Sequence, residues 1–182
     1  MYRLIVFAVL SVPLVALSWK ALKKPGSHGF YRFFLWECIL ALFLLNYQAW
    51  FVRPFSWHQI LSWIFLLYSI YPVVDGVRRL NRARKSSQKM ADQALYRFES
   101  TAELVDKGIF KYIRHPMYSS LLFLAWGIVL KAPSLPLLCI GLAAGVFAFL
   151  TAWGEEKEDI EYFGSAYLEY KKRTKWLIPF VL

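Results

Sequence analysis

The chain has 182 residues, 58% of them hydrophobic and only 19% charged, with a formal net charge of +10 and a mean hydropathy of +0.40. Soluble domains average roughly 45–50% apolar and about 25% charged residues, so an ordinary soluble domain is excluded. The 15 Phe, 11 Tyr and 8 Trp against 9 Gly and 8 Pro also exclude a disordered or low-complexity chain. The length suits one folded unit, a single membrane domain over residues 1–182.

A helical span needs about 20 mostly apolar residues, because each residue rises about 1.5 Å across roughly 30 Å of hydrocarbon. The first candidate covers residues 4–19, interrupted only by Pro13. Arg3 before this run and Ala16-Leu17-Ser18 within it imitate a signal peptide, but more positive charge follows the run than precedes it. It is therefore read as a retained span. The second covers 33–51 and carries Glu37, Asn46 and Gln48, and the third covers 55–74. The fourth, 116–130, and the fifth, 134–153, are separated only by Lys131, Ala132 and Pro133, which predicts a tight helical hairpin. The expected fold is all-α: a polytopic membrane protein of about five transmembrane helices with a C-terminal hairpin.

The basic residues are unevenly placed. The segment after the first span, a loop at 78–115 and a tail at 155–182 hold 19 of the 22 Lys and Arg. Lys and Arg stay cytoplasmic, which puts the N-terminus outside and the loop and tail inside. Topology and attraction to anionic lipid account for this surface better than nucleic acid does. With no lipidation motif, the chain is expected in a prokaryotic plasma membrane.

Within the loop, Ala91, Leu95, Phe98, Ala102 and Val105 recur at helical spacing, and Gly108 reads as the stop. In the tail, Ile160, Phe163, Tyr167 and Tyr170 repeat the pattern. Both read as cytoplasmic amphipathic helices. Cys38 and Cys139 fall inside spans and read as packing residues. His28, His58 and His115 lie in separate segments without metal-ligand spacing, so no metal site is expected.

Two polar clusters stand out. The first runs from Gly108 to Tyr118 and contains Tyr112, Arg114, His115 and Pro116; the second is Glu155-Glu156 after Gly154. Each has a structural reading, as interfacial anchors in one case and as acids in the first turn of a tail helix in the other. A hairpin, however, makes the inner ends of spans four and five neighbours. Arg114, His115 and Tyr118 then face Glu155 and Glu156, a set able to bind a zwitterionic soluble ligand while the hydrocarbon side supplies a lipophilic one.

Residues 104–180 resemble the isoprenylcysteine carboxyl methyltransferase and phospholipid methyltransferase superfamily of small integral-membrane enzymes. The resemblance is carried by Gly108-x-Phe110-x-Tyr112-x-Arg114-His115-Pro116-x-Tyr118. It continues in Glu155-Glu156, Phe163-Gly164, Tyr167-x-x-Tyr170 and Ile178-Pro179. It implies S-adenosylmethionine as cofactor, with Tyr112, Arg114, His115, Tyr118, Glu155 and Glu156 as its binding residues. It places Tyr167, Tyr170 and Arg173 over the pocket or against the acceptor, as the catalytic candidates. The implied activity is methyl transfer to a small lipophilic acceptor entering from the bilayer, an isoprenylcysteine-type carboxylate first and a phospholipid amine or a thiol next. Ser120 stands where the family usually has glycine, Ile109 replaces a frequent proline, and no arginine shortly precedes Glu155. A reductase like the membrane sterol reductases and a non-catalytic membrane scaffold are the competing readings.

Overall fold

The computed structural model describes residues 2–86 and 104–181. Six α-helices follow in chain order: α1 (Tyr2–Leu22), α2 (His28–Asn46), α3 (Trp57–Ser86), α4 (Pro116–Val129), α5 (Leu135–Phe163) and α6 (Ser165–Arg173). Two 3-10 turns, Tyr47–Ala49 and Gly108–Lys111, join them. The described residues form no strand, only an isolated parallel bridge between Ile113 and Lys175.

Four helices, α1, α2, α3 and α5, are long and apolar enough to cross a membrane. At 14 residues, α4 rises roughly 21 Å and is shorter than the hydrocarbon is thick. It packs along α3 and also touches α5 and α2, while α2 lies along α5 and α1 covers the outer side of α2. Leu35 and Leu42 of α2, Leu66 of α3, Ala125, Ile128 and Val129 of α4, and Leu137, Ala144 and Ala148 of α5 make one buried core. Small residues on α5 let α2 approach closely, as helices packed in lipid require.

Side-chain hydrogen bonds lock α4 between its neighbours. Ser62 Oγ donates to the Gly127 carbonyl at 2.6 Å, and Asn46 Nδ2 to that of Ile128 at 2.5 Å. Ser120 Oγ donates to the Ser69 carbonyl of α3 at 2.5 Å. The serine that departs from the family pattern therefore serves helix packing. Large apolar residues stay exposed outside the bundle, among them Leu4, Val12, Leu67 and Leu142. Such a surface belongs in lipid, and the chain is an integral membrane protein.

Several sequence expectations change. α5 does not end near Trp153 but runs on through Glu155, Glu156 and Ile160 to Phe163, so the two acids are not in the first turn of a tail helix. Glu and Lys are good helix formers, and Gly154 does not break the helix. Its missing side chain serves contact: a Cβ there would lie 3.1 Å from the backbone of His28. The tail stripe is consequently split, with Ile160 and Phe163 on α5 and Tyr167 and Tyr170 on α6. α3 extends to Ser86, so Arg78, Arg79 and Arg82 are helical. Of the helix expected from Ala91 to Val105, residues 91–103 lie outside the described residues, and Leu104 and Val105 are not helical.

Gly108 opens a 3-10 turn instead of closing a helix. Its φ is +63°, and a Cβ there would fall on the Arg79 guanidinium. Asp75 Oδ2 accepts from both Arg79 Nε and the Ile109 backbone N–H at 2.8 Å, tying this turn to α3. Gly108→Ala is expected to cost about 1–2 kcal/mol in backbone strain alone, with displacement of Arg79 added. Thermal unfolding in detergent measures this, and an unchanged midpoint would contradict it.

Candidate functional site

Proline disfavours helical geometry in the residue before it, so Pro116 both starts α4 and keeps His115 out of the helix at its N-cap, with φ −119° and ψ 65°. The His115 carbonyl accepts the Ser119 N–H at 3.0 Å. Residues 112–115 also pair with the chain after α6. Lys175 N–H donates to the Tyr112 carbonyl at 2.9 Å, Arg114 N–H to that of Lys175 at 2.9 Å, and His115 N–H to that of Trp176 at 3.2 Å. The tail thus closes over the start of α4.

Two ends of the sequence motif meet here. His115, 3% exposed, holds Nδ1 3.1 Å from Glu155 Oε2 and Nε2 3.8 Å from Glu156 Oε2. Adjacent positions on a helix point about 100° apart, so two consecutive glutamates can flank one imidazole. Arg114 Nη2 is 3.6 Å from Glu156 Oε2, and Arg114 Nη1 donates to the Thr174 carbonyl at 2.6 Å. Lys171 of α6 forms a third ion pair with Glu156. The basic partner that the sequence lacks just before Glu155 is supplied by α6 and by Arg114. The Tyr118 ring stacks near-parallel to His115, with centroids 5.9 Å apart.

Burial alone would push the His115 pKa down, but the carboxylates of Glu155 and Glu156 override it and raise it to about 9. The imidazolium is therefore the form present at neutral pH. A raised pKa contributes stability that is complete below the ordinary value near 6.5 and is lost as pH rises through about 9. The thermal midpoint is expected to fall between those values in the wild type, and His115→Gln to lack that part of the fall. Parallel pH profiles for the two proteins would contradict this.

The structure brings Arg114, His115, Tyr118, Glu155 and Glu156 together. Tyr167, 2% exposed, stands within electrostatic reach of both glutamates. Tyr170 is equally buried and donates its hydroxyl to the Phe110 carbonyl at 2.6 Å, anchoring α6 to the Gly108 turn. Burial pushes both phenols well above the usual range, so they are neutral. Two expected residues are not directed into this cluster. Tyr112 is exposed against the Phe180 ring, and Arg173 makes an exposed ion pair with Asp106 at 2.8 Å.

Three participants escaped the sequence reading. His28 at the start of α2 pairs with Glu158 at 2.8 Å and acts electrostatically on Glu155. Gly154 and Glu158, one helical turn apart, both face it; that spacing was the available signal. Lys171 looked like one more basic tail residue. Trp176 looked like one more aromatic, yet its ring lies 6.5 Å from His115. Among the described residues no cluster of His, Cys, Asp and Glu could hold a metal ion.

The sequence model of the phospholipid methyltransferase family matches residues 57–166, from the start of α3 into α6. The chain belongs to this family. Among similar proteins is the protein-S-isoprenylcysteine O-methyltransferase of Homo sapiens, 34% identical over 83 residues, which is 44% of this chain and 29% of the human protein. The proteins of the same name from Mus musculus (34% over 89 residues) and Xenopus laevis (32% over 80) cover 44% and 43% of the chain. These matches span under a third of the relatives, 29% of the mouse protein and 27% of the frog protein. No solved structure matches the chain.

Proposed function

We propose that the chain is an S-adenosylmethionine-dependent methyltransferase of the membrane, acting on a small lipophilic acceptor. The observation that carries this reading is the convergence of Arg114, His115, Tyr118, Glu155 and Glu156 where the start of α4 meets the C-terminal part of α5, in a member of this family. The residues fit the cofactor's chemistry. Arg114 Nε and His115 Nε2 are buried without a hydrogen-bond partner among the described residues. Two unsatisfied donors on adjacent residues suit a carboxylate, while the partly exposed Glu155 suits an ammonium or ribose hydroxyls. When bound, S-adenosylmethionine supplies an electrophilic methyl group on a sulfonium.

Arg114 and His115 would hold the carboxylate end, and Glu155 the ammonium, with Glu156 fixing Arg114, His115 and Lys171 around it. Tyr170 is a positioning residue that holds α6 down, and Tyr167 and Tyr118 exclude water. Such a site works by orientation and dryness, which transfer from a reactive sulfonium requires more than proton transfer. Arg173 and Tyr112 are assigned to the rim, where the acceptor's head or the headgroups would meet them. The chain is read as a single domain of five spans, α4 being the short fifth. Its N-terminus is placed outside and its site on the cytoplasmic side, as the distribution of Lys and Arg supports, and a prokaryotic plasma membrane is the membrane we propose for it.

An isoprenylcysteine-type carboxylate is the acceptor favoured by the relatives, and the family description favours a phospholipid amine next. Incubating membranes containing the chain with methyl-labelled S-adenosylmethionine and, separately, N-acetyl-S-farnesylcysteine, phosphatidylethanolamine or hexadecanethiol separates these. Base-labile label in the farnesylcysteine is expected. Label in the phospholipid or thiol would replace that acceptor, and none in any would contradict the activity.

A further inference from the structure

The outer face of α4 and α5 carries an open groove of about 610 Å³ lined by Trp126, Leu142, Gly145, Val146, Phe149 and Leu150. Leu142 and Val146 are 59% and 56% exposed, so the groove opens toward the hydrocarbon. It runs along α5 toward Glu155, which lies six residues, or roughly 9 Å, beyond Phe149. Phe149 and Leu150 lie at the end toward the polar cluster, and the Phe149 ring meets Trp176 edge-on at 4.5 Å. Trp176 also meets His115 at 6.5 Å, and its carbonyl accepts the His115 N–H. One indole therefore contacts both the apolar groove and the charged site.

That indole has an N–H with nothing to bond. Trp176 Nε1 is buried and lacks an acceptor among the described residues. Glu156 is ion-paired with Lys171 and Arg114, and the Thr174 carbonyl accepts from Arg114. Burying such a donor unpaired is unfavourable, so the position fits a ligand that brings its own oxygen. An ammonium head would offer only further donors.

We infer that Trp176 is a specificity-determining residue for the methyl acceptor. The acceptor's tail occupies the groove past Phe149, and an oxygen of its head, a carboxylate in the best case, accepts the Trp176 N–H beside His115. This rests on the methyltransferase reading and adds a residue and a route to it. Trp176→Phe keeps an aromatic ring while removing the donor and the indole's second ring, and the comparison of carboxylate with alcohol separates those two effects. Leu142→Trp, at an exposed position, fills the groove from the lipid side.

The test uses the full chain in lipid nanodiscs, with calorimetric binding of three probes: the carboxylate 2-(hexadecylthio)acetate, the matched alcohol 2-(hexadecylthio)ethanol, and S-adenosylhomocysteine. Trp176→Phe is expected to weaken the carboxylate probe by about 10-fold or more, the alcohol less, and S-adenosylhomocysteine by under about 2-fold. Leu142→Trp is expected to weaken both hexadecyl probes alike and spare S-adenosylhomocysteine. Equal loss of both hexadecyl probes in Trp176→Phe would leave the residue a ring only, and loss of S-adenosylhomocysteine would assign the N–H to the cofactor. Either result overturns the inference, as does wild-type binding of S-adenosylhomocysteine with neither hexadecyl probe. Absence of S-adenosylhomocysteine binding in the wild type would overturn the methyltransferase reading itself.

Discussion

Glu156→Gln is expected to abolish S-adenosylmethionine binding and to destabilise the protein, while the chain still inserts into the membrane. The Glu156 side chain is 6% exposed and faces Arg114, Lys171 and, at 3.8 Å, His115. Removing one partner of a buried ion pair leaves the other charge uncompensated, at a cost of about 3–5 kcal/mol. Lys171 is 46% exposed, so water screens its share, and a figure on the order of 3 kcal/mol is expected for the glutamine variant. With the carboxylate gone, Arg114 and His115 also lose the anchor that aims their free donors. Thermal unfolding and calorimetry on the same preparation measure both effects. A variant with wild-type midpoint and wild-type affinity would show that Glu156 is an ordinary surface acid of α5. A non-catalytic scaffold predicts the same loss of stability but no S-adenosylmethionine binding even in the wild type.

His115→Ala is expected to lower cofactor affinity by at least about 100-fold, since a charged donor and its alignment of two carboxylates are both lost. Helix α4 is expected to persist, because the backbone carbonyl of residue 115, not its side chain, caps Ser119. Membrane insertion, rooted in α1, α2, α3 and α5, is expected to be unchanged. Normal binding in this variant would remove His115 from the site whatever its burial.

The membrane class was legible because apolar blocks of span length follow directly from the cost of placing polar backbone and side chains in hydrocarbon. The meeting of His115 with Glu155 was legible for a topological reason: a three-residue connection leaves the two helices no choice but to lie side by side. Where α5 ended was not. Hydropathy stops at Trp153, but a helix continues into water without any change of period, and Glu155 to Phe163 have good helix formers among them. Gly154 carries a related ambiguity. A glycine marks a break or a close contact, and only the position of His28, 126 residues earlier in the chain, decides which. Lys171 and Trp176 were invisible because nothing local distinguishes them. Their roles come from the pairing of residues 174–176 with 112–115, a contact with no sequence signature.

The account's central claim is that the cluster where the start of α4 meets the C-terminal part of α5 holds an adenosyl cofactor. Titrating the detergent-purified chain by calorimetry with S-adenosylmethionine, S-adenosylhomocysteine and NADPH tests it most directly. The expected result is saturable binding of both adenosyl compounds and none of NADPH. A folded preparation that binds neither adenosyl compound would contradict the claim, and binding of NADPH alone would assign the site to a reductase.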